Sequence, residues 1–212
     1  NGQMAEIAHT YLAYDSAYEV VAFCVDGDYL EDDTFRGLPV LAFESVVERF
    51  PPGKYGMFLP ISAKEANQLR ARKYAEAKEK GYNLISYVSP KATVYPDVQI
   101  GENCFIFENN VIQPFARIGN DCILWSGNHI GHHSTIEDHC FLASHVVISG
   151  RVTVEPACYF GVNATVRDGI RIGEGTVVGA GALILKNTKP RSVYVQVPTT
   201  RAPFSSESVN LV

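Results

Sequence analysis

GENCFI-FENNVI-QPFARI-GNDCIL-WSGNHI-GHHSTI-EDHCFL-ASHVVI-SGRVTV-EPACYF-GVNATV-RDGIRI-GEGTVV-GAGALI is the chain from residue 101 to residue 184, cut into sixes. Every block closes on Val, Ile or Leu, except the one that closes on Phe160. Stepping back from Ile106 through Ile100 and Val94 to Val88 extends the series to 17 positions, 16 of them Val, Ile or Leu, with no insertion or deletion. Small residues recur two positions earlier, among them Ala92, Cys104, Ala116, Ser134 and Ala164. Gly recurs one position later, at 101, 119, 131, 161, 173 and 179. A period of six belongs neither to a helix nor to a simple alternating strand. It fits short strands joined by tight corners, with the aliphatic residue pointing inward and Gly relieving strain near the corner. Three faces make one coil, so residues 18 apart stack at the spacing of hydrogen-bonded strands, roughly 4.8 Å.

Outward from this repeat the reading becomes compositional. The chain has 212 residues, 46 % apolar and 19 % charged, enough for one large domain or two small ones. No apolar run is long enough to span a membrane, and no secretory signal is visible. The net charge of -5 argues against nucleic acid as a partner, which usually meets a basic face. Cysteines lie at 24, 104, 122, 140 and 158, and the last four are 18 apart. They are expected to stack as one inward column of small hydrophobes in a reduced, cytoplasmic protein. A straight ladder is a poor tetrahedral site, so no zinc or redox role is assigned to it.

Residues 1–87 alternate strand and helix. Strands are expected at 19–25, 55–59 and 83–87, with a short helix at 43–50. A second helix should open on a Ser62/Glu65 capping box and close at Gly81. This is βαβ logic and predicts a small, Rossmann-like α/β domain with a parallel sheet. Gly2 and Gln3 lie where a helix N-terminus would meet phosphate, as in the tail of a G-x-G-x-x-A turn. Asp26-Gly27-Asp28 follows the first strand at its carboxyl end, where such sheets bind ligands. A solvated Asp-Gly turn is the plainer reading of those residues alone.

Five of the six histidines fall between 129 and 145. A metal site is one reading of that density. However, His133, His139 and His145 are spaced by six, which puts them on successive sides of the prism and not in one cluster. Surface histidines without a role are expected at His139 and His145. General-base chemistry is the third reading.

The coil resembles that of the hexapeptide-repeat acyltransferases, and this resemblance implies a left-handed parallel β-helix over 88–186, an exception to the usual crossover rule. A small α/β domain (1–87) running straight into such a coil, with a tail from 187 to 212 containing Val195-Gln196-Val197-Pro198, resembles the sialic-acid O-acetyltransferases and nucleotide-aminosugar N-acetyltransferases. Also carrying the resemblance are His132 with Ile136, Gly150, Gly161-Val162-Asn163 and Gly179-Ala180-Gly181-Ala182. It implies transfer of an acetyl or other short acyl group from acyl-coenzyme A to the amino group of a nucleotide-linked sugar. His132 becomes the base and the Gly150 amide the donor to the thioester carbonyl. Gly161, Val162, Gly179, Ala180 and Lys186 would hold coenzyme A, without a metal. Gly2, Gln3, Asp26 and Gly27 would hold the nucleotide-sugar. Two places depart from the family pattern: His133 stands where a carboxylate orients the base, and Phe141 where a His touches coenzyme A. A base supported by His129, or attack by an already neutral amine, stays open. So do sugar O-acetylation and a non-catalytic scaffold. Because His132 and Val162 differ by 30 residues, they fall on different corners of one prism. A homotrimer is therefore expected, to bring one subunit's His132 to a neighbour's Val162–Ala180 column.

Overall fold

The computed structural model describes residues 2–197, 201 and 203. Asn1, Pro198 and most of the remaining tail lie outside the described residues.

From Tyr87 onward the chain winds as a three-sided parallel β-helix. The first face carries strands at 87–88, 105–106, 123–124, 141–142, 159–160, 177–178 and 193–194. The second face carries 93–94, 111–112, 129–130, 147–148, 165–166 and 183–184, and the third 99–100, 117–118, 135–136, 153–154 and 171–172. Pairing is parallel in a register of 18, as in His129 opposite Val111 and Val147, except at the last strand, where Val193 lies opposite Val177. The inward aliphatic column is buried from Ile106 to Ile184, with the Cys104, Cys122, Cys140 and Cys158 column beside it at 0 % exposure. Val88, Val94 and Ile100 are only partly buried, because no coil lies beneath them. Each thiol donates to a carbonyl of the next coil, Cys104 to Gly119 at 3.0 Å and Cys122 to Glu137 at 3.2 Å.

The corners follow a different rule from the one expected. The left-handed residue is the third after the inward aliphatic: Asn109, Asp121, His133, His139, His145, Arg151 and Asn163 all have φ between 55° and 62°. Asn, Asp and His enter this region at the least cost after Gly, which is why three of the histidines are six apart. The glycines one position after the aliphatic serve close approach. A Cβ on Gly131 would lie 2.5 Å from the Gly150 nitrogen of the next coil.

The N-terminal part begins with α1 (Gln3–Asp15) and β1 (Phe23–Val25), followed by β2 (Thr34–Phe35) and β3 (Leu38–Ala42). Then come α2 (Val46–Arg49), β4 (Gly56–Met57), α3 (Gln68–Glu79) and β5 (Asn83–Leu84). Parallel pairing holds for β1 with β3 and for β4 with β5, in two separate sheets. The β2–β3 hairpin is antiparallel, and Arg36-Gly37 turn it with φ of 50° and 78°, the two-residue turn that suits a hairpin. That hairpin was not expected. The Ser62/Glu65 helix start is also replaced: Glu65, Ala66 and Asn67 take positive φ, and α3 opens at Gln68.

Helices α1 and α3 both help to seat this part on the coil. Helix α1 lays Ala8, Leu12 and Tyr11 over the aromatic first face, where Phe105 stacks on Phe107 at 4.1 Å and Phe107 on Trp125 at 4.5 Å. Helix α3 sends Arg70, fully buried, into the corner after the third face. There it bonds the carbonyls of Asp121 and His139 and pairs with the Asp121 carboxylate at 3.1 Å. Asn103 and His139 hold the same carboxylate at 2.7 and 2.8 Å. A buried ion pair is tolerated only when its remaining donors and acceptors are satisfied in this way.

Candidate active site

Two edges of the prism flank the second face. The edge after it stacks Gly131-His132-His133, Ser149-Gly150-Arg151, Arg167-Asp168-Gly169 and Leu185-Lys186-Asn187. The edge before it stacks Trp125-Ser126-Gly127, Ala143-Ser144-His145, Gly161-Val162-Asn163 and Gly179-Ala180-Gly181. The register of 18 fixes both stacks.

His132 is exposed at its edge, and its amide donates to Gln113 Oε1 at 2.9 Å from the coil below. Its carbonyl accepts the Arg151 amide at 2.9 Å. The imidazole is fixed on two sides. Nδ1 lies 3.2 Å from His133 Nδ1, and the His133 ring rests on Phe115 with centroids 4.6 Å apart. Nε2 lies against Gly150: a Cβ there would be 2.7 Å from Nε2 and 2.8 Å from Cε1. Gly at 150 therefore makes room for the ring. Among the described residues no hydrogen-bond acceptor meets the Gly150 amide, which leaves an unpaired donor one coil above the imidazole.

His129 sits half-buried on the second face beside this spot, opposite Val111 and Val147. Lys186 is exposed on the His132 edge, three coils up, about 14 Å by strand spacing. Val162 and Ala180 are exposed and neighbours in one column, with the Gly181 amide bonded to the Val162 carbonyl at 2.8 Å. Gly161 packs close beneath this column: a Cβ there would meet the Ala180 nitrogen at 2.5 Å. Gly179 lies below the Tyr194 carbonyl of the last strand, which a Cβ would meet at 3.1 Å. Phe141 is apart from these residues, 8 % exposed on the first face and stacked on Tyr159 under the α1 cover.

In the N-terminal part, Gly2 is the N-cap of α1, with Gln3 its first residue; both are exposed. Asp26 at the end of β1 is partly exposed and pairs with Lys73 of α3 at 2.7 Å. Burial works against the charge of Lys73, yet bonds to Asp26 and Glu76 outweigh it and raise its pKa. The Lys73 ammonium also lies 4.9 Å from the centre of the Phe43 ring. The Gly27 amide donates to Glu44 at 3.0 Å. Lys73, Glu44 and Gln113 carry no signal in the sequence reading. Gln113 alone was open to arithmetic, being 18 residues before Gly131 in the same corner column.

His139 differs from its expected place as a surface residue without a role. It holds the buried Asp121 carboxylate, and Tyr74 of α3 packs on it at 5.5 Å. His145 stays at the surface, exposed above Gly127. Among the described residues, no group of three His, Cys, Asp or Glu side chains is placed to hold a metal ion, and no helix is long and apolar enough to cross a membrane.

A family model described as the GMPPB C-terminal domain matches residues 85–183, just under half the chain and nearly all of it coil. No curated protein matches the sequence. Solved structures match nearly end to end. A mutant of perosamine N-acetyltransferase from Caulobacter crescentus, in complex with CoA and GDP-perosamine, is 24 % identical. The match covers 91 % of this chain and 89 % of that one, with a TM-score of 0.78. The acetyltransferase domain of PglB from Neisseria gonorrhoeae is 20 % identical over 91 % of both chains, TM-score 0.80. WeeI from Acinetobacter baumannii is 20 % identical over 89 % and 88 %, TM-score 0.70. The chain shares with them the hexapeptide-repeat, left-handed β-helix fold.

Proposed function

We propose that this chain is an acyl-coenzyme-A-dependent N-acyltransferase that places an acetyl or other short acyl group on the amino group of a nucleotide-linked sugar, for surface glycan assembly. The observation that carries the reading is the His132–Gly150 pair, an exposed imidazole packed against a glycine whose amide meets no acceptor among the described residues. Support comes from the neighbour with the same fold that binds CoA and GDP-perosamine.

In the reaction the sugar nitrogen attacks the thioester carbonyl carbon while His132 Nε2 takes the proton from that nitrogen. The Gly150 amide donates to the oxygen as it gains charge. The C–S bond then breaks, and the coenzyme A thiolate recovers the proton from His132. The thioester would lie beside Val162 and Ala180, with Lys186 facing the coenzyme phosphates. An edge of six residues spans at most about 20 Å, which separates His132 from Val162 within one subunit. A homotrimer, with the His132 edge of one copy against the Val162–Ala180 edge of the next, closes that gap. The N-terminal part is a Rossmann-like domain that takes the nucleotide, with the α1 N-terminus at Gly2 and Gln3 facing phosphate and Asp26-Gly27 facing the base or ribose. Five reduced cysteines suit a cytoplasmic enzyme.

Acetyl-coenzyme A presented with a panel of nucleotide-aminosugars, read by thiol release, tests this directly. At least one acceptor should release thiol with the wild type and at least 100-fold more slowly with His132→Asn. Equal rates with both proteins would overturn the assignment of the base.

A further inference from the structure

The contact between the two ring nitrogens of His132 and His133 has a consequence that depends on where the protons are. Two Nδ1 atoms 3.2 Å apart can share one hydrogen, so one ring donates and the other accepts. Nothing else bonds either Nδ1 among the described residues. If His132 Nδ1 carries the hydrogen, its Nε2 is bare beside Gly150 and is able to take a proton. If His133 Nδ1 carries it, a neutral His132 must keep its hydrogen on Nε2 and is no base.

We propose that His133 is a positioning residue that accepts the His132 Nδ1 hydrogen, and that a single proton on His133 reverses the bond and disables the base. The inference deepens the N-acyltransferase reading and rests on it for its kinetic arm alone. A carboxylate in this place would accept the hydrogen at any pH where proteins function. An imidazole accepts only while neutral, and its protonation falls in the physiological range.

The surroundings hold the His133 ring in place beside His132. Its backbone is locked in the left-handed corner (φ 59°), with its amide bonded to the Pro114 carbonyl at 3.2 Å. Its ring is held from below by Phe115, whose amide is bonded to Asp97 at 2.7 Å. In the corner position one coil above, Arg151 is paired to Asp168 at 2.9 Å. The charged groups along this edge are thus Asp97 below, the Arg151–Asp168 pair above, and the exposed Arg167 and Lys186 further up. Asp97 and Asp168 each have a partner of their own.

Nitrogen-15 NMR of histidine-labelled protein reads the proton positions without substrate. At pH 8 we expect His132 as the Nδ1–H tautomer and His133 as the Nε2–H tautomer, with His132 changing form as His133 gains its proton. Kinetically, His133→Ala should lower kcat about tenfold while leaving KM for acetyl-coenzyme A within twofold. His133→Gln, whose side-chain oxygen accepts the same hydrogen, should recover to within threefold of wild type at pH 8. It should also keep a larger fraction of its plateau rate than wild type at pH 6. The left-handed corner tolerates long side chains, since Arg151 occupies the equivalent place one coil up, and an unchanged unfolding midpoint checks that both variants fold. Finding His132 with its hydrogen on Nε2 at pH 8 overturns the proposal, as does identical behaviour of the Ala and Gln variants. If no acceptor is acylated by any of the proteins, the functional reading fails, and the NMR assignment still decides the tautomer.

Discussion

Replacing Gly150 by Ala adds one methyl group, and the structure says where it goes. The new Cβ would stand 2.7 Å from His132 Nε2, against an ordinary contact of at least 3.4 Å, so the ring must retreat by about 0.7 Å. Gly150 is not in the left-handed region, so Ala fits its backbone and the unfolding free energy should change by less than about 1 kcal/mol. The Gly150 amide also survives. What changes is the position of the base, and a 1 Å misplacement of a reacting group costs on the order of 100-fold. We expect kcat to fall by about 10- to 100-fold, with KM for acetyl-coenzyme A nearly unchanged. The decisive assay is a double-mutant cycle with His132→Asn. If the methyl group acts only by displacing the ring, Gly150→Ala should cost less than about threefold once the imidazole is gone. Multiplicative losses in the double variant would refute the reasoning, because Gly150 would then act on the reaction independently of His132.

Asp26→Ala should raise KM for the nucleotide-sugar and leave that for acetyl-coenzyme A unchanged, the signature of lost uniform binding; equal effects on both would misplace the two ligands. Arg70→Met leaves the Asp121 carboxylate buried with two of its three partners and should destabilise the fold by about 3–5 kcal/mol in urea; a loss below about 1 kcal/mol would mean the lock is idle. Stability should fall as pH drops below about 4.5. Burial of Glu102 and of Glu108 opposes their charge, but bonds from Lys78 and Tyr74, and from Ser126 and Tyr11, hold both below the ordinary 4.5. Glu155 is held low by the Glu174 amide first and Arg171 second. Carboxyls depressed by folding stabilise fully above their ordinary value and lose that contribution as pH falls through the folded one. Glu102→Gln should therefore flatten the urea midpoint between pH 4.5 and 3, and an unchanged slope would show that the depression is absent.

The coil was legible because its interior admits only two side chains per strand turn and repeats that demand without interruption from Ile106 to Ile184. The corner rule was half legible: the glycine column is visible in the sequence, but only the backbone shows that it serves close approach while the left-handed conformation falls two residues later, mostly on Asn, Asp, His and other glycines. His139 was within reach of the same arithmetic, since Asp121 stands 18 residues before it. The N-terminal part was read less well. Helix α3 starts late because the buried Asn67 side chain donates to the carbonyls of Ala157 and Cys158, about 90 residues away, and no local capping pattern contains that information. Nor does local sequence show that Arg70 is buried, because its partners are mostly backbone carbonyls of the distant coil. That Gly150 stacks on His132 was legible from the register of 18, whereas the bond between His132 and His133 needed side-chain directions.

The thiol ladder equips the protein with its own stopwatch. Burial pushes the Cys122 and Cys140 thiols well above their ordinary value, and only an opened thiolate reacts. One cysteine per coil at 104, 122, 140 and 158 means that alkylation under native conditions times the opening of four successive coils separately. Cys24, on β1, does the same for the N-terminal sheet. Mass spectrometry of a timed alkylation series would therefore show whether the coil opens from its ends or as a block, with no residue substituted.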